Sequence, residues 1–128
     1  MTAKRRRAER RGRWAEWAAE LLLRLKGYTI LARRARLKAG ELDLVARKGG
    51  TLAIIEVKAR KTLEQAAESV SFHQRKRIER AAANWRAARP AALPLAIRYD
   101  LFLFAPWQWP DHRRAAWIPE GRESFDYL

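Results

Sequence analysis

Residues 40–58 read GELDLVARKGGTLAIIEVK, and this stretch decides the fold. Two apolar runs, residues 41–47 and 52–58, flank the turn signal Gly49-Gly50 and predict a β-hairpin. With these glycines as the two turn residues, Lys48 pairs with Thr51. A four-residue loop over residues 48–51 keeps the same register. The hairpin therefore places each residue of the first strand opposite a defined residue of the second.

This register has a chemical consequence at the far end of the hairpin. Asp43 falls opposite Glu56, and Glu41 falls opposite Lys58. Residues directly opposite on one face have Cβ atoms about 4.5–5.5 Å apart, and like charges there are destabilising. Two such carboxylates need a compensating cation or a shared proton. A divalent metal with Lys58 beside it meets that need, which is the layout of a metal-dependent phosphodiesterase site.

The two faces of the predicted hairpin are both partly apolar. The residues expected on one face are Leu42, Leu44, Ala53, Ile55 and Val57. The residues expected on the other face are Glu41, Asp43, Val45, Ile54, Glu56 and Lys58. A sheet with apolar residues on both faces is predicted to be covered on both sides.

Composition narrows the class of protein. The chain has 128 residues, enough for one domain with a single core, and its hydrophobic fraction of 48% is that of a folded protein. Its net charge of +14, most of it from arginine, favours a polyanionic partner and bidentate phosphate contacts. Without cysteine there is no disulfide or thiolate site, which fits the cytoplasm. The apolar run Leu21-Leu22-Leu23 is too short for a membrane span, and no membrane association is expected.

The remaining elements are predicted from the periodicity of apolar residues and from the glycine and proline residues that end helices and strands. Residues 1–12 are predicted to be a mobile basic arm, residues 13–105 the folded domain, and residues 106–128 an irregular Trp- and Pro-containing extension of that domain. Outside the hairpin, the predicted elements are a helix over 13–26, a strand over 28–37, a connecting loop over 61–70, a helix over 73–89 and a strand over 95–104. The order α-β-β-β-α-β predicts an α/β domain with a mixed sheet.

The helix faces and the six tryptophans carry further predictions. On the first helix, one apolar stripe comprises Trp14, Trp17, Ala18, Leu21 and Leu25, and it is widened by Ala15, Ala19, Leu22 and Leu23. On the second, the predicted inner face is Ile78, Ala81, Ala82 and Trp85. In the tail, Trp107, Trp109 and Trp117 have three open roles: stacking on bases, covering a sheet face or forming a dimer contact. Covering the core is the favoured role.

The sequence resembles the YraN family of mostly uncharacterised bacterial proteins, over roughly residues 12–105. The residues that carry the resemblance are Gly12-Arg-Trp-Ala-Glu16 with Gly27-Tyr28, Gly40-Glu-Leu-Asp-Leu-Val-Ala46, Ile55-Glu-Val-Lys-Ala-Arg60 and Arg98-Tyr-Asp100. The family looks like a branch of the PD-(D/E)xK nucleases, close to archaeal Holliday-junction resolvases. The resemblance implies a restriction-endonuclease-like αβββαβ core with helices flanking a mixed central sheet.

The resemblance also implies roles for four residues. Asp43 and Glu56 would hold Mg²⁺ or Mn²⁺, with a backbone carbonyl near Val57 completing the shell, and Lys58 would assist the attacking water. Glu16 would approach the same site from the first helix. The alternatives are solvated carboxylates paired as Glu41–Lys58 and Glu56–Arg60, a Glu16 paired with Arg13 or Arg24, and an exposed Lys58. Where the family often has Lys-Gln at the start of the second helix, this chain has Gln74-Arg75.

A metal-dependent nuclease is the leading hypothesis for function, with branched or single-stranded DNA as the expected substrate rather than RNA. The residues expected to contact phosphates are Arg5, Arg6, Arg7, Arg10, Arg11, Arg60, Arg75 and Lys76. Superfamily nucleases often act as dimers, so a homodimer is expected by analogy. Two rivals remain open: a nucleic-acid-binding module that keeps the fold without turnover, and a basic scaffold that binds a protein.

Overall fold

The computed structural model describes residues 2–120, and these form a single sheet with helices on both of its faces. The strands are β1 (Thr29–Leu37), β2 (Gly40–Lys48), β3 (Thr51–Ala59), β4 (Ala96–Phe104) and β5 (Asp111–Trp117). The helices are α1 (Ala3–Leu25), α2 (Leu63–Glu68) and α3 (Phe72–Ala87), and a 3₁₀ turn covers Pro90–Ala92. The predicted hairpin is confirmed as β2 and β3, joined at Gly49-Gly50.

The sheet is mixed, and its strand order follows the chain from β1 to β5. The pairs β1–β2, β2–β3 and β4–β5 are antiparallel, whereas β3 and β4 run parallel. That parallel pair requires a crossover, and the chain from α2 through α3 supplies it. The predicted α/β fold with a mixed central sheet and flanking helices is confirmed, and it is compatible with a restriction-endonuclease-like core.

Two buried clusters occupy the two faces of the sheet, as predicted for a hairpin with two apolar faces. The cluster on the α1 face includes Leu23, Leu44, Ile55 and Phe102. The cluster on the α3 face contains the predicted inner residues of that helix, Ile78, Ala81, Ala82 and Trp85, packed against the sheet. The β2–β3 hairpin, which carries Asp43 and Glu56, therefore lies between two helical layers.

Helix α1 buries a different face from the one predicted. Ala15, Ala18, Ala19 and Leu23 are buried, whereas the predicted stripe residues Trp14, Trp17, Leu21 and Leu25 are exposed. Alanine has no bulk beyond Cβ, so the face with Ala15 and Ala19 lets the helix backbone approach the sheet closely. The large side chains on the other face remain at the surface.

The basic N-terminal segment, predicted to be an arm, is helical and forms the first turns of α1. Thr2 caps the helix, because its Oγ1 accepts a hydrogen bond from the Arg5 N–H at 3.2 Å. The following residues are mostly Ala, Arg and Glu, which are good helix formers, so the helix continues without interruption into the predicted segment. No helix within residues 2–120 is long and apolar enough to cross a membrane.

Two further segments are more ordered than predicted. Residues 61–70, predicted as a loop, contain α2, and Thr62 Oγ1 caps it by accepting from the Gln65 N–H at 3.0 Å. The C-terminal extension, predicted to be irregular, contains β5. Trp117 on β5 is buried and stacks on Tyr99, as expected for a residue that covers the core. In contrast, Trp107 and Trp109 are exposed, and residues 121–128 lie outside the described part.

A buried carboxylate, Asp100 on β4, holds β5 in place. Its side chain is fully buried and accepts two hydrogen bonds from Arg98, at 2.8 Å each, and one from His112 Nε2 at 2.9 Å. The register of β4 with β5 shifts between Tyr99 and Leu101, where Ala115 adopts a φ of 50°. The Ala115 N–H donates to Asp100 at 3.0 Å, so the carboxylate provides the hydrogen-bond acceptor for the N–H group in the bulge.

The electrostatic balance at Asp100 favours the ionised form. Burial raises its pKa, but the hydrogen bonds from His112, Arg98 and the Ala115 N–H outweigh burial and hold the pKa below its usual range. Arg98 also donates to the Tyr28 hydroxyl at 2.6 Å, which extends the cluster to the segment before β1. His112 is thus one of the partners that fix β5 to the sheet.

Candidate active site

The β2–β3 register brings the two predicted metal ligands together. Leu44 pairs with Ile55 and Lys48 pairs with Thr51, as the Gly-Gly turn predicted. Followed from the turn back along β2, the regular pairing with β3 ends at Leu44, so Asp43 lies one residue beyond the paired stretch. The Asp43 and Glu56 carboxyl groups are close enough to hydrogen-bond to each other when one is protonated. The expected juxtaposition of these two acids is present in the structure.

Asp43 lies at a local break in the sheet. Its Oδ2 accepts a hydrogen bond from the Val57 N–H at 2.9 Å, so the side chain bonds to the neighbouring strand beyond the end of the ladder. Across β1, the pairs Arg33–Leu44 and Ala35–Leu42 flank Arg34, which has a φ of 48°. A left-handed non-glycine residue costs of order 1–3 kcal/mol and is characteristic of functional sites.

Because of this break, the prediction that Leu42 and Leu44 share one face of the hairpin is wrong. Leu42 and Leu44 were expected on the same side of the hairpin, but Leu42 packs in the α3 cluster and Leu44 in the α1 cluster. Strict alternation is therefore lost around Asp43, between two leucines that would otherwise point the same way. The irregularity lets Asp43 line the cleft beside α1 while its carboxyl group stays within reach of Glu56.

Glu56 is buried and held by two neighbours. Lys58 Nζ lies 3.4 Å from Glu56 Oε1, and Gln74 Nε2, at the start of α3, donates to the same oxygen at 3.1 Å. The alternative ion pairs are wrong: Glu41 pairs with Arg36 in the solvent, and Arg60 donates to the Ala59 carbonyl. Lys58 is mostly buried rather than exposed, with 17% of its side chain accessible.

Burial dominates the protonation of the pair. It raises the pKa of Glu56 to about 8, assisted by the charge of Asp43 and opposed by Lys58. Burial also raises the pKa of Asp43 to about 6, opposed by the Val57 N–H and assisted by the charge of Glu16. Near neutral pH the coupled pair therefore retains a proton, and a cation placed between the two groups would displace it.

Glu16 approaches this site from α1, as the family resemblance implied. It lines an open cleft of about 540 Å³ together with Asp43, Trp17 and Arg34. Its partner is neither of the predicted arginines: Arg34 Nε donates to Glu16 Oε2 at 2.6 Å. Arg24 instead pairs with Glu20, which also bonds to Arg33. The cleft therefore carries carboxylates and arginines on both the helix wall and the sheet wall.

The donor set at the pair fits a hard divalent cation. Asp43 and Glu56 supply carboxylate oxygens, which Mg²⁺ and Mn²⁺ prefer, and Mg²⁺ is commonly held by only one or two carboxylates together with water and phosphate. Burial raises the pKa of both groups, and the positive charge of Lys58 offsets this only in part. Within residues 2–120, no three His, Cys, Asp or Glu side chains are grouped so as to hold a metal ion. Any ion here would need oxygen ligands from outside those side chains.

The predicted phosphate-binding residues have different environments. Five lie on the exposed first turns of α1: Arg5, Arg6, Arg7, Arg10 and Arg11. Arg60 is exposed just after β3. Arg75 and Lys76 are half-buried, because the Arg75 guanidinium lies over the Trp117 ring and Lys76 pairs with Glu79. Of these eight residues, the exposed ones are therefore Arg60 and the five at the start of α1.

Two site residues were missed from the sequence. Gln74 contacts Glu56 directly, although its position at the start of α3 was noted only as a departure from the family pattern. Arg34 lies on β1 and binds Glu16. The available signal for Gln74 was its family position, since that helix start often carries a glutamine. For Arg34 the sequence offers no signal, because its role depends on its unusual backbone conformation.

The buried pair predicts how the metal-free protein responds to pH. A carboxyl group whose pKa is raised on folding stabilises the fold below its unfolded pKa, and that contribution is lost as the pH rises through the folded value. In a chelator, wild type is therefore expected to lose stability between about pH 5 and pH 8. Glu56→Gln should flatten this dependence and raise the midpoint of thermal unfolding at pH 8 by about 3 °C or more.

Glu41→Gln is the matched control, because Glu41 is an exposed carboxylate on the neighbouring strand. Its pH dependence should follow that of wild type. Thermal melts by circular dichroism from pH 5 to pH 8 measure both variants. Parallel curves for wild type and Glu56→Gln would show that Glu56 is not held protonated by its surroundings.

A family model described as "Uncharacterised protein family UPF0102" matches residues 15–104. A UPF0102 protein of Maricaulis maris is 57% identical over 128 residues, covering all of both chains. A UPF0102 protein of Paramagnetospirillum magneticum is 52% identical over 114 residues, covering 86% of this chain and 88% of its own. These names record no activity.

Proposed function

Because the chain belongs to the uncharacterised protein family UPF0102, which is the YraN family, we propose its activity from the site itself: a divalent-metal-dependent nuclease that hydrolyses DNA. The observation that carries the proposal is the pairing of the half-buried Asp43 carboxyl group with the buried Glu56 carboxyl group, with Lys58 against Glu56. Two adjacent carboxyl groups removed from water cost the metal-free fold stability. A cation held between them would offset that cost and could also bind a phosphate.

Asp43 and Glu56 would hold Mg²⁺ or Mn²⁺, with the backbone carbonyl near Val57 as a further oxygen ligand. The bound ion would polarise the scissile phosphate and lower the pKa of the attacking water. The Val57 N–H orients Asp43, and Gln74 orients Glu56, so both carboxylates are fixed before substrate arrives. Glu16 lines the same cleft and is held by Arg34, which suits it to position water at the edge of the site.

Lys58 is placed to act on the reacting phosphate. Its ammonium group is within 3.4 Å of Glu56 and is mostly removed from solvent, where a charge has a stronger effect than in water. There it would orient the attacking water or stabilise the charge that develops on the phosphate oxygens. The arginines on the first turns of α1 would hold the polyanion by neutralising phosphates along the backbone.

A cleavage assay tests the proposal. Purified protein is incubated with labelled single-stranded, duplex and branched DNA, in chelator or in Mg²⁺ or Mn²⁺. Wild type is expected to cleave at least one substrate only when the divalent ion is present. Lys58→Met should reduce that rate roughly 10²-fold, as expected for loss of a group that stabilises the transition state.

Lys61→Met is the control, since Lys61 is an exposed lysine three positions beyond Lys58. It should cleave at the wild-type rate, and both variants should bind DNA as wild type does in chelator. Cleavage that survives in Lys58→Met at the wild-type level would point to a contaminating nuclease. Absence of cleavage by wild type on every substrate would contradict the proposal.

A non-catalytic DNA-binding protein is the second candidate. It is favoured by one observation, the lack of three grouped metal-ligating side chains within the described range 2–120. It predicts a salt-dependent affinity for DNA that is unchanged by Mg²⁺. Calorimetric titration of the protein with Mn²⁺ separates the two candidates, because only the nuclease requires a saturable site that Asp43→Asn removes.

A further inference from the structure

An aromatic groove lies beside the end of β3, separate from the acidic cleft. It has a volume of about 400 Å³ and runs between the first half of α1 and the turn that joins β4 to β5. Its aromatic lining includes Trp14, Phe104, Trp107 and Trp109, and Arg11 and Arg60 are also part of it. No acidic residue is among those lining it. The groove thus offers flat apolar rings together with positively charged side chains and no negatively charged ones.

The tryptophans here do not cover the core. Trp107 is fully exposed, Trp109 is 90% exposed and Trp14 is 60% exposed. Trp107 also has a φ of 62°, an unfavourable backbone conformation for a residue with a Cβ. Displaying the Trp107 and Trp109 rings to water, the first of them on strained backbone, contributes nothing to the packed core. Such a surface indicates a ligand that the rings contact.

The rigid part of the groove is the wall formed by Trp14. Its ring packs edge-on against Phe104, with ring centroids 6.0 Å apart, and Phe104 stacks on Phe102 in the buried cluster. One side of Trp14 is therefore anchored to the core while much of its surface stays open. Arg60 also lines the groove, and its guanidinium donates a hydrogen bond to the Ala59 carbonyl.

We propose that this groove binds an unpaired stretch of a nucleic-acid strand, with bases stacked on Trp107 and Trp109 and phosphates held by Arg11 and Arg60. Base stacking on aromatic side chains requires an open base face, which a duplex does not offer. The two arginines match the phosphates that accompany each base. Arg60 lies two residues after Lys58 on the same chain segment, which places the groove at the end of β3 that carries Glu56 and Lys58.

This inference rests on the proposed nuclease only for the use made of the bound strand, and its test does not need cleavage. In chelator, fluorescence anisotropy measures binding of a labelled 12-nucleotide oligothymidine and of a duplex of equal length to the full chain. Trp107→Ala/Trp109→Ala should weaken single-strand binding roughly 10- to 100-fold and duplex binding much less. Trp107→Phe/Trp109→Phe, which keeps flat rings, should restore most of the affinity.

The arginines give an independent readout. Arg11→Gln/Arg60→Gln should reduce the slope of log affinity against log salt by about 1.4 for the single strand, whereas the tryptophan variant should leave that slope unchanged. Phe72→Ala, which removes an exposed aromatic ring on α3 outside the groove, is the control and should bind as wild type. Circular dichroism confirms that each variant is folded.

Wild-type affinity of the folded tryptophan variant for the single strand would overturn the inference. The same holds if the variant keeps its affinity but changes its sedimentation coefficient, which would assign the groove to a second copy of the chain. A protein that binds the strand and never cleaves it would leave the groove in place and refute the nuclease. Cleavage of DNA by the tryptophan variant, with unchanged single-strand affinity, would refute the binding role of the groove and support the nuclease.

Discussion

Asp43→Asn is expected to lower the rate of metal-dependent DNA cleavage by at least about 10³-fold, equivalent to roughly 4 kcal/mol of transition-state stabilisation. Asparagine is isosteric with aspartate, and its side-chain oxygen can still accept the Val57 N–H. The change therefore removes a negative charge and a metal ligand without removing the hydrogen bond that fixes the side chain. Single-turnover assays at saturating Mg²⁺ or Mn²⁺ measure the loss.

The fold should survive this substitution. Because burial raises the pKa of Asp43, a neutral residue at this position relieves a cost in the metal-free protein at and above neutral pH. Its thermal midpoint in chelator should be equal to or above that of wild type. Glu41→Gln, two residues earlier on β2 and exposed, is the matched control and should keep full activity. Near-normal cleavage by Asp43→Asn would refute the assignment of Asp43 as a metal ligand.

Asp100→Asn is expected to destabilise the protein by about 3 kcal/mol or more, which is typical when one partner of a buried ion pair is removed. The amide cannot accept the bonds that Arg98, His112 and the Ala115 N–H all donate to the carboxylate. Partly buried Arg98 would lose its counter-charge, and the bulge in β5 would lose its acceptor. Chemical denaturation at pH 7 measures the free energy of unfolding.

Asp111→Asn is the appropriate control for the second prediction. Asp111 also pairs with an arginine two residues away, Arg113, at 2.9 Å, but both side chains are more than a third exposed. Its replacement should change the free energy of unfolding by less than about 1 kcal/mol. Since the pKa of Asp100 is lowered in the fold, its stabilising contribution is present above the unfolded pKa and is lost as the pH falls through the folded value. Equal stability of the two variants would contradict the role given to Asp100.

The part of the fold that depends on local sequence was predictable. The Gly49-Gly50 turn and the alternating residues on either side specify the hairpin and its register, and hence the approach of Asp43 to Glu56. These features are encoded within one short stretch of chain. The inner face of α3 was equally clear, because its apolar residues form a single stripe.

The face of α1 could not be predicted in the same way. Apolar residues surround most of this helix, so hydrophobicity alone does not distinguish the Trp14 and Trp17 side from the Ala15 and Ala19 side. The choice depends on how closely the helix backbone approaches the sheet, which is a property of the packed structure. Tertiary packing of this kind is also what gives Gln74 its contact with Glu56.

Strand β5 was missed for a related reason. Its pairing with β4 contains a bulge at Ala115, so the alternation that identifies a strand is interrupted. The acceptor that stabilises the bulge, Asp100, lies on another strand. The placement of Leu42 and Leu44 on one face was wrong for a similar reason. The break at Asp43 that separates them comes from a side-chain bond to the next strand and from the backbone of Arg34, and local sequence does not reveal either.

The position of both acids within one hairpin has a consequence for folding kinetics. Asp43 and Val57, whose bond fixes the carboxylate, are only 14 positions apart, whereas the parallel pairing of β3 with β4 must close a loop that contains two helices. Short loops close faster than long ones, so the hairpin is expected to form early. The like charges then meet while water still hydrates them. The penalty for dehydrating them arises later, when the helices dock against the sheet.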